Sequence, residues 1–218
     1  REERIKIGSG GWDLIGDLRL PETEEPAACV LLMNQAGGSR DAYRALAGTL
    51  AEQGIASLRI DLRGHGESVN LGRFLPGEEE SIPFPWDSEA DVAAAHEFLK
   101  THPAVDANRI AMVGASYSGE EMAEAGRLGG YCRSYAALSP GSFSEESIRA
   151  IDPSGISWLV VIAEEDPFLQ SHLKALEELS SSVELLLLPG TAHGTAILEK
   201  QPDFVERLTA WLVMQLED

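Results

Sequence analysis

The first twenty residues alternate between apolar and polar positions. Ile5 and Ile7 precede a glycine-rich turn at residues 8–11, and three leucines follow the turn at even spacing. Alternation with a period of two is typical of strands that bury one face, and the glycines favour a tight turn between them. The pattern therefore predicts antiparallel strands at the start of the chain.

Short continuous apolar runs replace this alternation from residue 29 onward. Such a run, bounded by turn residues, is typical of a strand that is buried on both faces of a parallel sheet. The runs predict six strands, at Cys29–Met33, Ile55–Ile60, Ile110–Val113, Tyr135–Leu138, Trp158–Ala163 and Val183–Leu188.

Segments with helical periodicity separate most of these strands. From Asp41 to Gln53 the apolar residues share one helical face, with Asp41 as the predicted N-cap and Gly54 as the stop. Residues 88–91 (Ser-Glu-Ala-Asp) have the spacing of a capping box at the start of another helix, and a last helix starts near Pro202. This order predicts an α/β fold with a mostly parallel central sheet and helices on both faces.

The connection between residues 68 and 87 breaks the order of strands and helices. It contains glycines, prolines and three consecutive glutamates, with Phe74, Phe84 and Trp86 interspersed. Long irregular connections are often lids or substrate walls, and ordinary surface excursions are about as frequent. We predict a single domain over residues 1–218 with little or no cap domain and at most a minimal lid at 68–87. The three aromatic side chains are candidates for substrate contact, with packing under the loop as the alternative.

The charge of the chain limits its partners. The formal net charge is −19 over 218 residues, and such a field repels nucleic acid and anionic membranes. No apolar run approaches the roughly 18 residues of a membrane-spanning helix. We therefore expect no nucleic-acid partner and no membrane insertion, and the oligomeric state stays open. Adaptation to salt is the alternative to a simple solvated surface.

The cysteines and the first residues bear on metal binding and on the compartment. Cys29 and Cys132 lie in or beside apolar segments without zinc-binding spacing, so both are expected to be small buried hydrophobes. The first residues are charged and lack a signal-peptide core. Because the first residue is Arg1 rather than Met, an upstream segment that has been removed stays an open alternative to the slightly favoured cytoplasm.

The sequence MVGASYSGEEM, residues 112–122, predicts a tight turn from a strand into a helix. Such turns either bind phosphate on backbone N–H groups or present a nucleophile. Gly114 and Gly119 have P-loop spacing, but Glu120 and Glu121 stand where a lysine and a hydroxyl residue are required, and two carboxylates repel phosphate. The dinucleotide pattern fails because position 116 is serine. The phosphate interpretation is therefore rejected.

Ser116 is the candidate nucleophile of this turn. Gly114 precedes it by two residues, and Ser118 stands where a second glycine is usual, so the segment is a slightly altered G-x-S-x-G. Ser118 is the competing nucleophile, but it has no glycine two residues before it. A serine hydroxyl needs a base and a group that orients the base.

Candidates for these two groups follow later strands in the order that this architecture requires. Glu164, Glu165 and Asp166 follow the strand at Trp158–Ala163, and His193 follows the strand at Val183–Leu188. From the residues alone, any of the three carboxylates fits the role of the acid. The other histidines have simpler structural or surface explanations, and they are His65, His96, His102 and His172.

Five segments together carry a family resemblance that spans Leu31 to Thr195: LLMNQAGGSRDAY, DLRGHGES, VGASYSG, AEEDP and GTAHGT. With them the chain resembles the α/β-hydrolase superfamily, in particular small serine hydrolases of the dienelactone-hydrolase and carboxylesterase kind. The resemblance implies Ser116 as nucleophile, Asp166 as acid and His193 as base. It also implies an oxyanion hole formed by the backbone N–H groups of Ala36 and Tyr117. Neither a metal nor an organic cofactor is required.

Two segments depart from the family pattern. Asn34-Gln35 replaces the His-Gly pair that is common after the first buried strand, and Glu120-Glu121 occupy the first turns of the nucleophile helix. Carboxylates there suit the positive helix end but weaken a nearby oxyanion site. Among cationic side chains, we expect Arg40, Arg63 and Arg73 near the mouth of the site.

The hypothesis from the sequence is a carboxylic-ester hydrolase that acts on small-molecule esters through an acyl-enzyme intermediate. Phe168, with the aromatic side chains of residues 68–87, is the candidate for substrate contact. A thioesterase, an amidase or an acyltransferase with the same triad is the first alternative. A non-enzymatic binding protein on this fold is the second.

Overall fold

The computed structural model describes residues 1–141, 143–168 and 183–217, with residues 152 and 153 described by their backbone alone. Its strands are β1 Glu2–Ser9, β2 Trp12–Arg19, β3 Ala27–Met33, β4 Ala56–Ile60, β5 Val105–Ala115, β6 Ser134–Leu138, β7 Ser157–Ala163 and β8 Val183–Leu188. Its helices are α1 Arg44–Glu52, α2 Glu89–Thr101, α3 Tyr117–Gly129, α4 Glu145–Ser154, α5 Ala196–Lys200 and α6 Pro202–Leu216. A 3-10 turn at Arg40–Tyr43 leads into α1.

The described strands form one sheet in the order β1-β2-β4-β3-β5-β6-β7-β8. β1 and β2 pair antiparallel, β2 pairs antiparallel with β4, and every further pair is parallel. The predicted fold class is therefore confirmed, including the antiparallel strands at the start. Because β3 and β5 to β8 run in the same direction, the loops at their carboxyl ends meet at one edge of the sheet.

Hydrophobic side chains of the central strands pack on both faces of the sheet. In β3, Leu31 and Met33 contact one core cluster, to which α2, α3 and α4 contribute, whereas Val30 and Leu32 contact another, to which α1, α5 and α6 contribute. This arrangement explains why β3 reads as a continuous apolar run rather than an alternating one. No helix among the described residues is both long and apolar enough to cross a membrane.

One strand is longer than its apolar run predicted. β5 starts at Val105 rather than Ile110, and residues 106–109 between them are mostly polar and not buried. The register with β3 shifts between the pairs Ala27–Val105 and Cys29–Ile110, which marks an irregularity in the pairing. Hydrophobicity alone therefore detects only the buried half of this strand.

Two predicted helix caps differ from the structure. Ser39 caps the 3-10 turn by accepting a hydrogen bond from the N–H of Asp41, and α1 itself starts only at Arg44, so the predicted cap at Asp41 was wrong. Ser88 precedes α2 as predicted, but the capping box does not form. Its backbone is already helical, with φ −78° and ψ −5°, and its hydroxyl donates to the carbonyl of Pro85 at 2.7 Å.

The connection between β4 and α2 contains neither a helix nor a strand, in agreement with the predicted irregular segment. Backbone hydrogen bonds hold it in successive turns. The N–H of Phe74 donates to the carbonyl of Gly64 at 2.8 Å, and the N–H of Ile82 donates to that of Arg73 at 3.0 Å. The fold thus has no helical cap among the residues described between the two elements.

A network of buried ion pairs holds the first residues of this connection in place. Asp61, which is fully buried, accepts hydrogen bonds from the backbone N–H of Arg40 at 2.7 Å and of Glu67 at 2.9 Å, and it also binds the Arg40 guanidinium. Arg40 Nε donates to Asp17 at 2.9 Å. Because buried charges are stable only when they are paired, the network fixes the loop after β4 to the loop after β3.

Gly66 makes this network possible. Its φ is +50°, and a Cβ there would overlap the carboxylate of Asp61. We expect Gly66→Ala to lower the free energy of unfolding by about 3 kcal/mol or more, through strain and the displaced ion pair. Denaturant unfolding monitored by circular dichroism measures the change.

Gly77→Ala is the matched control, because Gly77 has φ +81° but no atom within 4 Å of the added methyl group. It is expected to cost about 1 kcal/mol from the backbone alone. Equal losses at positions 66 and 77 would contradict the role given to the Asp61 network.

Candidate active site

The turn between β5 and α3 holds Ser116 in a strained backbone conformation. Its φ is +51° and its ψ is −125°, values that a residue with a side chain rarely adopts. Gly114 permits this turn, because a Cβ there would lie 2.7 Å from the backbone carbonyl of Ser118. Such strain costs on the order of 1–3 kcal/mol and is found mainly at functional sites, where it fixes a side chain in a required direction.

Ser118, the competing nucleophile, is fully buried and stabilises this turn. Its hydroxyl accepts from the N–H of Ala115 at 2.7 Å and lies within donating distance of the carbonyls of Ala115, at 3.0 Å, and of Met33, at 3.2 Å. Ser118 occupies the position of the second glycine in the usual motif, and its hydroxyl connects the turn to the end of β3. Its burial and these bonds leave it unsuited to attack a substrate.

Asp166 and His193 are in direct contact. His193 Nδ1 lies 2.8 Å from Asp166 Oδ2, and the other carboxylate oxygen accepts from the N–H of Phe168 at 2.9 Å. Asp166 is 4% exposed, whereas Glu164 and Glu165 on the same loop are exposed. Among the three carboxylates that the sequence left open, Asp166 is therefore the one that the structure joins to the histidine.

The loop that carries His193 packs against the turn that carries Ser116. A Cβ at Gly194 would lie 3.6 Å from the Cβ of Ala115, the residue before Ser116. Both loops also bind the end of β6, since the N–H of Ser116 donates to the carbonyl of Leu138 at 2.9 Å and the N–H of Gly194 donates to Ser139 Oγ at 3.0 Å. Nucleophile and base candidates thus lie at the same edge of the sheet.

The backbone N–H groups of Ala36 and Tyr117 make no hydrogen bond within the described part of the chain. Tyr117 is the first residue of α3, where a helix leaves its N–H groups unsatisfied and carries a partial positive charge. Unpaired donors at a helix start favour the binding of a developing negative charge, as an oxyanion hole requires.

Asn34 and Gln35, which replace the usual His-Gly pair, shape the loop around Ala36. Asn34 Oδ1 accepts from the N–H of Leu62 at 2.8 Å, and Asn34 Nδ2 donates to the carbonyl of Gln35 at 2.9 Å. That carbonyl also accepts from the N–H of Gly38 at 3.0 Å. The Asn34 side chain therefore joins the backbone of this loop to the backbone after β4.

The aromatic residues of the irregular connection pack beside Tyr117, whose ring is buried. Phe84 lies at a ring distance of 5.2 Å from Tyr117, with Phe74 at 5.0 Å and Trp86 at 4.2 Å from Phe84. Trp86 keeps 64% exposure. Packing thus accounts for much of the Phe74 and Phe84 contacts, and their role in substrate contact stays a prediction.

Two further contacts bring side chains to the same edge of the sheet. Pro76 lies beside the loop that carries Ala36, since a Cβ added at Gly37 would be 3.6 Å from Pro76 Cγ. Phe168, which is 57% exposed, places its ring 5.5 Å from that of His193. Pro76 thus lies beside the candidate oxyanion loop, and Phe168 lies beside the candidate base.

Of the remaining histidines, His65 packs beside the aromatic cluster, with its ring stacked on Tyr117 at a centroid distance of 5.7 Å. His65 is buried in the turn after β4, where its Nδ1 lies 3.0 Å from the carbonyl of Arg63. His96 lies on α2 and His102 directly after it. His172 falls outside the described residues.

The expected position of Arg40 and Arg63 at the mouth was wrong. Both are buried, Arg40 in the Asp61 network and Arg63 in a bidentate contact with the carboxylate of Asp91, at 2.6 and 3.0 Å. Arg73 is exposed. No group of three or more metal-binding side chains converges within the described residues.

Glu121 on α3 is a buried carboxyl group next to Glu89 on α2. Burial raises the pKa of Glu121 to about 8, and the neighbouring Glu89 and Glu120 carboxylates add to the increase. Glu120 itself extends toward Gly141 in the loop after β6. The folded protein therefore retains a proton on Glu121 at pH values where the unfolded chain has released it.

This proton makes stability fall as pH rises between about 4.5 and about 8. In Glu121→Gln the side chain stays neutral, so the loss of unfolding free energy from pH 6 to pH 9 should shrink by about 1–3 kcal/mol, after allowance for solvent screening. Urea unfolding at both pH values measures this. Glu206→Gln, at an exposed position, should keep the wild-type pH dependence. An unchanged pH dependence in Glu121→Gln would disprove the assignment.

Comparison with known proteins agrees with the fold. The sequence pattern of the serine aminopeptidase family S33 matches residues 24–130, which include Asn34 to Gly38 and the Ser116 turn but neither Asp166 nor His193. No curated protein sequence matches the chain.

Solved structures match nearly the whole chain. A dienelactone hydrolase from Anabaena variabilis has a TM-score of 0.74 and 20% identity, covering 100% of this chain and 99% of its own. A lidless α/β serine hydrolase from Xanthomonas campestris has a TM-score of 0.75 and 19% identity, covering 100% and 96%. Est1E from Butyrivibrio proteoclasticus with bound ferulic acid has a TM-score of 0.77 and 17% identity, covering 97% and 98%.

These three likenesses cover 97–100% of this chain. They agree with the sheet order, with the absence of a helical cap between β4 and α2, and with the resemblance of the five sequence segments. The chain has the α/β-hydrolase fold.

Proposed function

We propose that the chain is a serine hydrolase that cleaves small carboxylic esters through Ser116, His193 and Asp166. The observation that carries the proposal is the 2.8 Å contact between His193 and buried Asp166. The loop that holds His193 also packs against the strained Ser116 turn. A structural turn serine has no need of a nearby oriented imidazole, whereas a nucleophilic serine requires one.

The contact at Nδ1 supports a separate role for each imidazole nitrogen. With Nδ1–H donating to Asp166, the lone pair of Nε2 is available to accept the proton of the Ser116 hydroxyl. The serine oxygen then bonds to the ester carbonyl carbon, and the carbonyl oxygen becomes negatively charged. Asp166 stabilises the imidazolium that forms and does not itself take up the proton.

The N–H groups of Ala36 and Tyr117 are the proposed donors to this oxyanion. One such donor contributes roughly 3–4 kcal/mol of transition-state stabilisation in comparable enzymes. Collapse of the tetrahedral species expels the alcohol, which receives the proton from His193, and the acyl group remains on Ser116. Water, deprotonated by His193, then cleaves the acyl-enzyme. The His193 side chain is 29% exposed, which supports access of water to this step.

Two features of the comparisons favour esters. One similar structure is a dienelactone hydrolase, and another contains ferulic acid. The match to serine aminopeptidases makes amide cleavage the second candidate. That match covers the turn and the oxyanion loop, which ester and amide hydrolases share, so it does not select the leaving group.

The test compares one acyl group on three leaving groups: a p-nitrophenyl ester, a thioester and a p-nitroanilide. We expect the ester series to be hydrolysed, with acyl chains of increasing length revealing the size of the pocket. A fluorophosphonate should label the protein once, and peptide mass spectrometry should place the label on Ser116. Preference for the anilide would favour the amidase. Inertness toward all substrates and toward the phosphonate would favour a non-enzymatic binding protein.

A further inference from the structure

Gln35 joins the loop of the proposed oxyanion hole to the loop of the proposed base. Its side-chain Oε1 accepts a hydrogen bond from the N–H of Thr195 at 2.8 Å, although the two residues are 160 positions apart. The fit is close, because a Cβ at Gly194 would overlap the same oxygen atom. Gly194 also has φ +57°, so the path of the chain after His193 depends on both glycine and Gln35.

The backbone after His193 is held at three consecutive N–H groups. Gly194 donates to Ser139 Oγ at 3.0 Å, Thr195 donates to Gln35, and Ala196 donates to the carbonyl of His193 at 3.1 Å. The first two acceptors are side chains from the loops after β6 and β3. These side chains, together with Asp166, therefore restrict both the backbone and the ring of His193.

The backbone of Gln35 serves the other loop at the same time. Its carbonyl oxygen accepts from Asn34 Nδ2 at 2.9 Å and from the N–H of Gly38 at 3.0 Å, so the peptide that carries the N–H of Ala36 has a fixed orientation. A single residue thus links the direction of an oxyanion donor to the position of the base. The arrangement differs from a surface contact, since Gln35 is only partly exposed.

We propose that Gln35 is a positioning residue for His193, acting through the Thr195 N–H group. The proposal rests on the proposed function, because it concerns the geometry of the same catalytic step. Small displacements of a catalytic group matter, since a shift of about 1 Å can lower a rate by about 100-fold. The alternative is a purely structural role, in which Gln35 only satisfies an N–H group at the start of the short helix α5.

Two substitutions separate positioning from helix capping. Gln35→Met keeps the length of the side chain but removes the acceptor, and we expect kcat to fall about 10- to 100-fold with KM little changed. Gln35→Glu keeps an acceptor for Thr195 and should recover most of kcat at alkaline pH. Its added carboxylate favours the imidazolium form, so the acid limb of the pH profile should move to higher pH.

The charged groups of the loop after β7 bear on this shift. Asp166 contacts the ring, and Glu164 and Glu165 are exposed on the same loop. These three are unchanged in both variants, so a difference between the pH profiles of Gln35→Met and Gln35→Glu comes from position 35. Gln53→Met is the matched control, since it makes the same chemical change at an exposed residue after α1.

A readout without substrate completes the test. The Nδ1 proton of His193, hydrogen-bonded to Asp166, should give a downfield proton resonance, assigned by its loss in His193→Gln. We expect the resonance to broaden or shift in Gln35→Met and to persist in Gln35→Glu. Phosphonate titration gives the fraction of reactive sites, so kcat is expressed per reactive site.

Three outcomes would overturn the proposal: wild-type kcat per reactive site in Gln35→Met, a loss that Gln53→Met reproduces, or an unchanged histidine resonance. A wild-type protein that is inert toward esters and phosphonate, but whose resonance responds to position 35, would reject the proposed function and retain the positioning role.

Discussion

Ser116→Ala is expected to lower kcat/KM for p-nitrophenyl acetate by about four to six orders of magnitude, and to abolish phosphonate labelling. Without the hydroxyl no acyl-enzyme can form, and only binding and the oxyanion donors remain to accelerate attack by water. The fold should persist, because Ser116 is not fully buried and the N–H that donates to Leu138 is retained. Stopped-flow and steady-state assays on purified protein measure the difference.

Ser118→Ala is the control for this experiment. It removes a hydroxyl two residues away that binds the Ala115 N–H, so it should lower the free energy of unfolding by about 1–3 kcal/mol. Its activity per folded molecule should stay within about tenfold of wild type, since the hydroxyl takes no part in the reaction. Activity that survives in Ser116→Ala but is lost in Ser118→Ala would show that the nucleophile has been assigned to the wrong serine.

Asp166→Asn is expected to lower kcat by about 10³- to 10⁴-fold. The asparagine amide can donate to His193 Nδ1, which would place the imidazole proton on Nε2, the nitrogen that must accept from Ser116. It also loses the negative charge that stabilises the imidazolium. The substitution is nearly isosteric, and its Oδ1 can still accept from the N–H of Phe168, so the loop should keep its shape.

Glu164→Gln and Glu165→Gln provide the comparison, because both residues are exposed on the same loop. We expect each to change kcat less than about threefold, in line with the modest effect of exposed charges. Circular dichroism and thermal unfolding should show all three variants folded. If Glu164→Gln or Glu165→Gln produces the large loss and Asp166→Asn does not, the acid is a different carboxylate.

Much of the architecture is predictable because burial in a parallel sheet has a direct sequence signature. β3 and β7 each have a neighbouring strand on both sides, and their apolar runs give their positions within two residues. The Ser116 turn is equally local, since it requires small residues at fixed spacing beside a strand. Residues 106–109 of β5 are mostly polar and not buried, so the same signature misses the first half of this strand.

Partners that are distant in sequence are not predictable in this way. Arg63 and Asp91 are 28 residues apart, and their contact moves the arginine away from the expected mouth and the aspartate away from the expected capping box. The hydrogen bond from Thr195 to Gln35 joins residues that are 160 positions apart, and such a contact leaves no periodic pattern in the sequence. The Asn34-Gln35 departure was the one available signal, and it identified the position without identifying its partner.

Ser139, the residue after β6, shares the left-handed backbone of Ser116, with φ +46° and +51° respectively. Glycine would adopt this conformation with less strain, but it would lack the hydroxyl that accepts from Gly194. Thermostabilisation schemes that relieve unfavourable backbone angles would select position 139 early. A glycine there would relieve the backbone strain but would leave the N–H of Gly194 without its acceptor and the base less well ordered, so relief of strain is a misleading criterion for improving this protein as a catalyst.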